Sequence, residues 1–96
     1  MYYNISYDIS SNKTRRLAVK LCKKAGLVRV QRSVFIGASL PSLIHAIRTE
    51  LLPLLDPKRD SLHLQPLDRQ TYARLQLHGN LTDKTAIARE QKVVFI

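Results

Sequence analysis

Asp8 is the residue with the most chemistry to offer. It follows Tyr7 at the end of an alternating, strand-like segment, and the capping residues Ser10, Ser11 and Asn12 lead from it into a basic stretch holding Lys13, Arg15 and Arg16. A carboxylate is a hard oxygen ligand, and Mg²⁺ is held by one or two carboxylates while keeping several waters. An acid in this place can therefore meet a divalent metal while nearby cations hold a phosphodiester. One carboxylate per chain is thin for a nuclease. Two chains paired about a twofold axis through an open sheet face would bring two copies of Asp8 together, and a shared metal would keep both ionised. The competing structural role is an Asp that only caps the following helix or pairs with Arg15.

A second group lies just downstream. Lys13, Arg16, Lys20, Lys23 and Lys24 share the polar face of the first predicted helix, a stripe suited to tracking nucleic-acid phosphates with little regard for sequence. A solvated helix face is the plainer alternative, but the helix holds no acids with which to form ordinary ion pairs. Tyr2, Tyr3 and Phe35 can stack bases or fill a core. Cys22 falls on the apolar stripe of the same helix and reads as a packed thiol, since a nucleophile needs exposure and an activating His. His45, His63 and His78 have no metal-ligand spacing, and there is no phosphate-binding glycine loop.

The elements that must position these residues follow from periodicity. Tyr3, Ile5, Tyr7 and Ile9 alternate with Asn4, Ser6 and Asp8, which predicts a half-buried strand over residues 2–9. Leu17, Ala18, Leu21, Cys22 and Ala25 give a helical stripe over Lys13 to Ala25, stopped by Gly26. From Leu27 to Ile36 the residues favour strand, but Arg32 breaks the apolar parity. Either one bulged strand or two short strands bent about Gln31 to Ser33 would let it escape the core. Ser39 and Pro41 open a second helix with Leu43, Ile44, Ile47 and Leu51 inside, ended by Pro53. A charged turn over Asp56 to Asp60, a strand over Leu62 to Leu67 and a short helix capped by Asp68, carrying Tyr72 and Leu75 and closed by Gly79, complete a unit spanning residues 1–79. Residues 80–91 read as a polar loop, and Val93 to Ile96 as a last strand that needs something to pair with. The order gives an α+β fold, the ferredoxin-like βαββαβ sandwich, with both helices on one face of an antiparallel sheet and the other face, bearing Asn4, Ser6 and Asp8, uncovered.

Composition bounds the function. A chain of 96 residues is one domain, and 16 Lys and Arg against 7 Asp and Glu leave a formal charge of +9, which makes nucleic acid the leading partner. Residues 1 to 32 hold eight of those basic residues and one acid, Asp8, so the phosphate-binding surface centres on the first third. No apolar run is long enough to span a bilayer, no signal-peptide pattern opens the chain, and a lone cysteine suits a reducing compartment. The expected setting is the cytoplasm, with no membrane partner.

Tyr7-Asp8-Ile9-Ser10, the paired Arg15-Arg16, and the run from Gly26 through Val30-Gln31-Arg32-Ser33-Val34-Phe35 to Gly37 together resemble the CRISPR-associated protein 2 family. The likeness is strongest over residues 1–37 and weaker over 62–79, where Pro66, Leu67 and Gly79 carry it. It implies a ferredoxin-like homodimer in which an extra C-terminal strand, Val93 to Ile96, crosses to the partner's sheet. It also implies Mg²⁺ between the two copies of Asp8 and metal-dependent cutting of RNA or DNA, of the endoribonuclease type. By position, Tyr7 and Asp8 match the metal-site motif, Arg15, Arg16 and Arg29 its basic positions, and Ser33 and Phe35 the Ser-Val-Phe segment. Leu17 departs from the pattern, standing where some members have a further arginine. The family implies a second role as well: a non-catalytic dimer that bridges CRISPR integrase subunits on protospacer duplex DNA during prokaryotic spacer acquisition.

Overall fold

Alternation in the first strand decides which side of the sheet the helices cover. In the computed structural model, which describes residues 1–82, β1 (Tyr2–Asp8) buries Tyr3, Ile5 and Tyr7 on one face. Against that face pack Ala18, Leu21 and Cys22 of α1 (Asn12–Lys24) and Ile44, Ile47 and Leu51 of α2 (Pro41–Leu51). Fully burying side chains such as Ile5, Ile47 and Leu51 stabilises the fold by about 1.5–3 kcal/mol each. The remaining elements are β2 (Val28–Gln31), β3 (Val34–Ala38), a 3₁₀ turn over Leu52–Leu54, β4 (Ser61–Leu67) and a short α3 (Arg69–Ala73). The four strands form one sheet in the order β2-β3-β1-β4, with every neighbouring pair antiparallel. Both main helices lie on one face, as the element order predicted.

Local chemistry sets the helix ends. Of the three candidate caps it is Ser11 whose Oγ accepts the Thr14 N–H, at 3.2 Å, which stabilises the helix by about 1 kcal/mol. At the other end the Gly26 N–H donates to the Lys23 carbonyl and the Leu27 N–H to that of Cys22, a pair of bonds that requires the left-handed φ of +84° at Gly26. Leu27 is thereby turned into the core and the chain enters β2.

Two short strands, rather than one, occupy residues 27–37. They are joined by the turn at Arg32 and Ser33, and a bulge falls between Arg29 and Gln31. Arg29 stands opposite Phe35, and it is this parity, not that of the valines, that faces the helices. Val28, Val30, Val34 and Ile36 belong to a second cluster with Tyr2, Leu67, Tyr72, Leu75, Leu77 and Leu81.

That cluster corrects the expectation that the far face is uncovered. Tyr72 of α3 stacks on Tyr2 with ring centroids 4.3 Å apart, and Leu81 and Thr82 reach β2, where the Thr82 N–H donates to the Val30 carbonyl. The apolar part of the face demands this cover, whereas Ser61, His63 and Asp8, with Ser6 between them, remain as its polar, open end. The short helix also ends at Ala73, capped at Arg74, well before Gly79. The strand expected at Val93 to Ile96 and the loop beyond Thr82 lie outside the described residues. No helix among the described residues is long and apolar enough to cross a membrane.

Candidate functional site

The end of β1, the first turns of α1 and the β2–β3 turn enclose a cleft of about 590 Å³. Tyr7 and Asp8 point to opposite faces of β1, and both reach the cleft because it opens where the strand ends and the chain turns into α1. The predicted residues Tyr7, Asp8, Arg15, Arg16, Arg29 and Ser33 all line it. Phe35 lies beneath them and is fully buried, 6.4 Å from the Tyr7 ring and 5.9 Å from the Arg29 guanidinium carbon. It shapes the site without facing solvent. Lys13, Lys20, Lys23 and Lys24 are exposed along α1 outside the cleft, and Arg16 belongs to both surfaces.

Neither structural role for Asp8 is realised. The helix cap is Ser11, and Arg15 turns to the main chain, its Nη1 donating to the Ile9 carbonyl at 3.3 Å. The Asp8 carboxylate is exposed and takes part in no ion pair or side-chain hydrogen bond among the described residues. An accessible carboxylate without a protein partner has the donor chemistry that Mg²⁺ prefers. Among the described residues no three His, Cys, Asp or Glu side chains converge, so a metal held by Asp8 would draw its other ligands from water, phosphate or a second chain.

Tyr7 is arranged as a donor. Its ring is buried, its Oη donates to the Arg32 carbonyl at 3.3 Å, and burial pushes the phenol pKa upward against the opposing pull of Arg29. It therefore stays protonated at neutral pH. The Arg32 carbonyl also accepts Nε and Nη2 of Arg29, at 3.0 and 2.6 Å. The neighbouring Ser33 carbonyl accepts the Tyr7 N–H at 3.1 Å. A two-residue hairpin loop normally takes a turn with positive φ, which matches strand twist. Neither Arg32 nor Ser33 has positive φ, so the bulge takes up the mismatch and these bonds hold the turn against β1.

Two contributors escaped sequence reasoning. Arg32 lines the cleft; in the sequence it counts among the basic residues of the first third and breaks the apolar parity of its segment, which marks it as leaving the core without saying for where. Asp60 accepts the Ser10 N–H and Oγ–H on Oδ1 at 2.9 and 2.8 Å, and the Asp56 N–H on Oδ2 at 2.9 Å. It ties the junction after Asp8 to the turn before β4. Fifty residues separate Asp60 from Ser10, and no local pattern reports a contact at that range.

The cleft thus sets four guanidiniums against one carboxylate. Lys13, Arg15 and Arg16 also crowd the positive end of the α1 dipole, where cations are disfavoured by some tenths of a kcal/mol each. An anion in the cleft would relieve both.

The family model for CRISPR associated protein Cas2 matches residues 1–75. The CRISPR-associated endoribonuclease Cas2 3 of Chloroflexus aurantiacus is 34% identical over 79 residues, covering 82% of this chain and 84% of its own. A CRISPR-associated endonuclease Cas1/endonuclease Cas2 fusion of Thermoproteus tenax is 27% identical over 71 residues, which are 74% of this chain and 27% of the fusion. The crystal structure of Streptococcus pyogenes Cas2 at pH 6.5 superposes with a TM-score of 0.65 at 30% identity, over 78% of this chain and 95% of that one. Three-quarters of the sequence, the α+β sheet order and the residues gathered at the end of β1 therefore point the same way, and the chain belongs to the CRISPR-associated Cas2 family.

Proposed function

We propose that the protein is a CRISPR-adaptation subunit that works in the cytoplasm as a ferredoxin-like homodimer and cuts phosphodiester bonds in RNA or DNA with Mg²⁺. The observation that carries this reading is the exposed, unpartnered Asp8 carboxylate in a cleft of arginines. Asp8 from each of two chains would hold the metal, and the polar open end of the sheet face is the surface through which two copies can approach. Bound there, Mg²⁺ supplies Lewis acidity and an activated water. The chain's own groups do the rest. Arg15 and Arg16 hold the scissile phosphate and offset the charge that grows on it, Tyr7 and Arg29 fix the turn that walls the cleft, and the α1 lysines carry the flanking backbone.

The test compares wild type with Asp8→Asn for chelator-sensitive cleavage of RNA and duplex DNA. Cleavage by wild type and its loss in the variant are the expected results. A folded wild-type dimer that never cleaves in Mg²⁺ would sink the enzyme reading.

A second reading has its own support, because one relative is named as a fusion of Cas1 and Cas2 in a single chain. In it the dimer is a scaffold that bridges integrase subunits on protospacer DNA, and Asp8 need not act. Spacer acquisition that survives Asp8→Asn while cleavage is lost would favour it.

A further inference from the structure

Two arginines flank the β2–β3 turn, and they are in different states. The Arg29 guanidinium is engaged from within: Nε and Nη2 donate to the Arg32 carbonyl and its Cζ lies over the Phe35 ring, 5.9 Å from the centroid. The Arg32 guanidinium has no hydrogen bond, ion pair or ring contact among the described residues, is exposed, and lines the cleft that holds Asp8. Yet the backbone that carries it is anchored, with three donors from Arg29 and Tyr7 on its carbonyl oxygen. A free cationic head on an anchored main chain is available to an anion: no protein bond has to break, and the planar guanidinium fork is already shaped for two phosphate oxygens.

We infer that Arg32 contacts a phosphate of the bound nucleic acid, and that Arg29 is a positioning residue that acts through the Arg32 main chain. This deepens the proposed function and rests on it. It divides the work at the turn. Arg29 has the geometry of a structural fork closed on a carbonyl, and Arg32 keeps its own five N–H donors for two phosphate oxygens.

The assay is binding, not cleavage: labelled single-stranded RNA and duplex DNA are titrated in EDTA over a range of salt, with wild type, Arg32→Ala, Arg32→Lys, Arg29→Met and the Arg29→Met, Arg32→Ala double variant. Arg32→Ala should weaken both ligands and lower the slope of log affinity against log salt by roughly 0.7–0.9 per site, with an unchanged melting temperature. Arg32→Lys should restore the slope. Arg29→Met should lower melting temperature and affinity, and in the Arg32→Ala background it should weaken binding no further. Unchanged affinity and slope in Arg32→Ala, with wild type binding, would overturn the assignment and leave the proposed function standing. Additive losses in the double variant would overturn the positioning role of Arg29. No binding by wild type would remove the function and this inference together. Arg32→Ala lies on an exposed turn, so its result stands even where Arg29→Met fails to fold.

Discussion

Tyr7→Phe separates a phenol that takes part in chemistry from one that holds a turn. The substitution deletes one oxygen and keeps the ring, with its packing against Phe35 6.4 Å away. The oxygen's bond to the Arg32 carbonyl is long, at 3.3 Å, and that carbonyl retains two donors from Arg29, so no acceptor is orphaned. A neutral hydrogen bond contributes about 0.5–1.5 kcal/mol, and this one belongs at the lower end. Arg29→Met removes two charge-assisted bonds, about 1.5–3 kcal/mol together, leaving the carbonyl only the long Tyr7 bond, and a cation–π contact of about 0.5–1 kcal/mol. In urea unfolding Tyr7→Phe should therefore destabilise by under about 1 kcal/mol and Arg29→Met by about 2–4 kcal/mol. In a domain this size each kcal/mol lowers the melting temperature by about 4–8 °C. Cleavage by Tyr7→Phe should stay within a few-fold of wild type, since burial keeps the phenol protonated and its proton points to a main-chain oxygen. A loss of two orders of magnitude in rate at near-native stability would refute the reasoning and put the phenol in the chemistry. A stability loss equal to that of Arg29→Met would refute the ranking.

Other perturbations test the frame around the site. Phe35→Ala empties a fully buried position and should destabilise by about 3–5 kcal/mol by urea unfolding, with activity lost in step with folding. Asp60, held below the usual carboxylate range by the N–H groups of Asp56 and Ser10, contributes stability present at neutral pH and lost as pH falls through its lowered pKa. Asp60→Asn should therefore flatten the acid limb of the stability curve below about pH 4, measured by urea midpoints. Burial pushes the Cys22 thiol up to about 12, so it stays neutral in the fold while the unfolded thiol ionises near 9.0. Its contribution is intact below pH 9.0 and lost as pH rises toward 12. Cys22→Ala should soften that alkaline loss, and native Cys22 should resist a thiol reagent at pH 8 until the chain unfolds. Replacing Lys20 and Lys24 by Gln should weaken binding to RNA and DNA alike, reduce its salt slope by about one to two, and leave the melting temperature within a few degrees.

Local periodicity carries the early elements well. Strict alternation from Tyr3 to Ile9 places Tyr7 inside and Asp8 outside because a strand's side-chain period is two, whatever it packs against. The capping oxygens after Asp8 and Gly26 with its positive φ bound α1 almost to the residue, since both act through bonds a few residues away. Around Arg32 local periodicity is ambiguous. A valine-rich parity reads as the buried one, but this sheet buries both faces there, so hydrophobicity could not say which side meets the helices.

By itself, then, the sequence determined the order of elements, the basic first third, the lone acid at the end of β1 and the family likeness, all properties of neighbours along the chain. Only the tertiary structure decided that Arg29 closes on the Arg32 carbonyl while the Arg32 side chain stays free in the cleft, and that Asp60 reaches back to Ser10. It also decided that Tyr72 and Leu81 cover the apolar part of the far face and leave the Asp8 end open. Such contacts arise where separate elements meet, and the free energy that selects them is that of packing and hydrogen bonding across the fold, which no local pattern encodes.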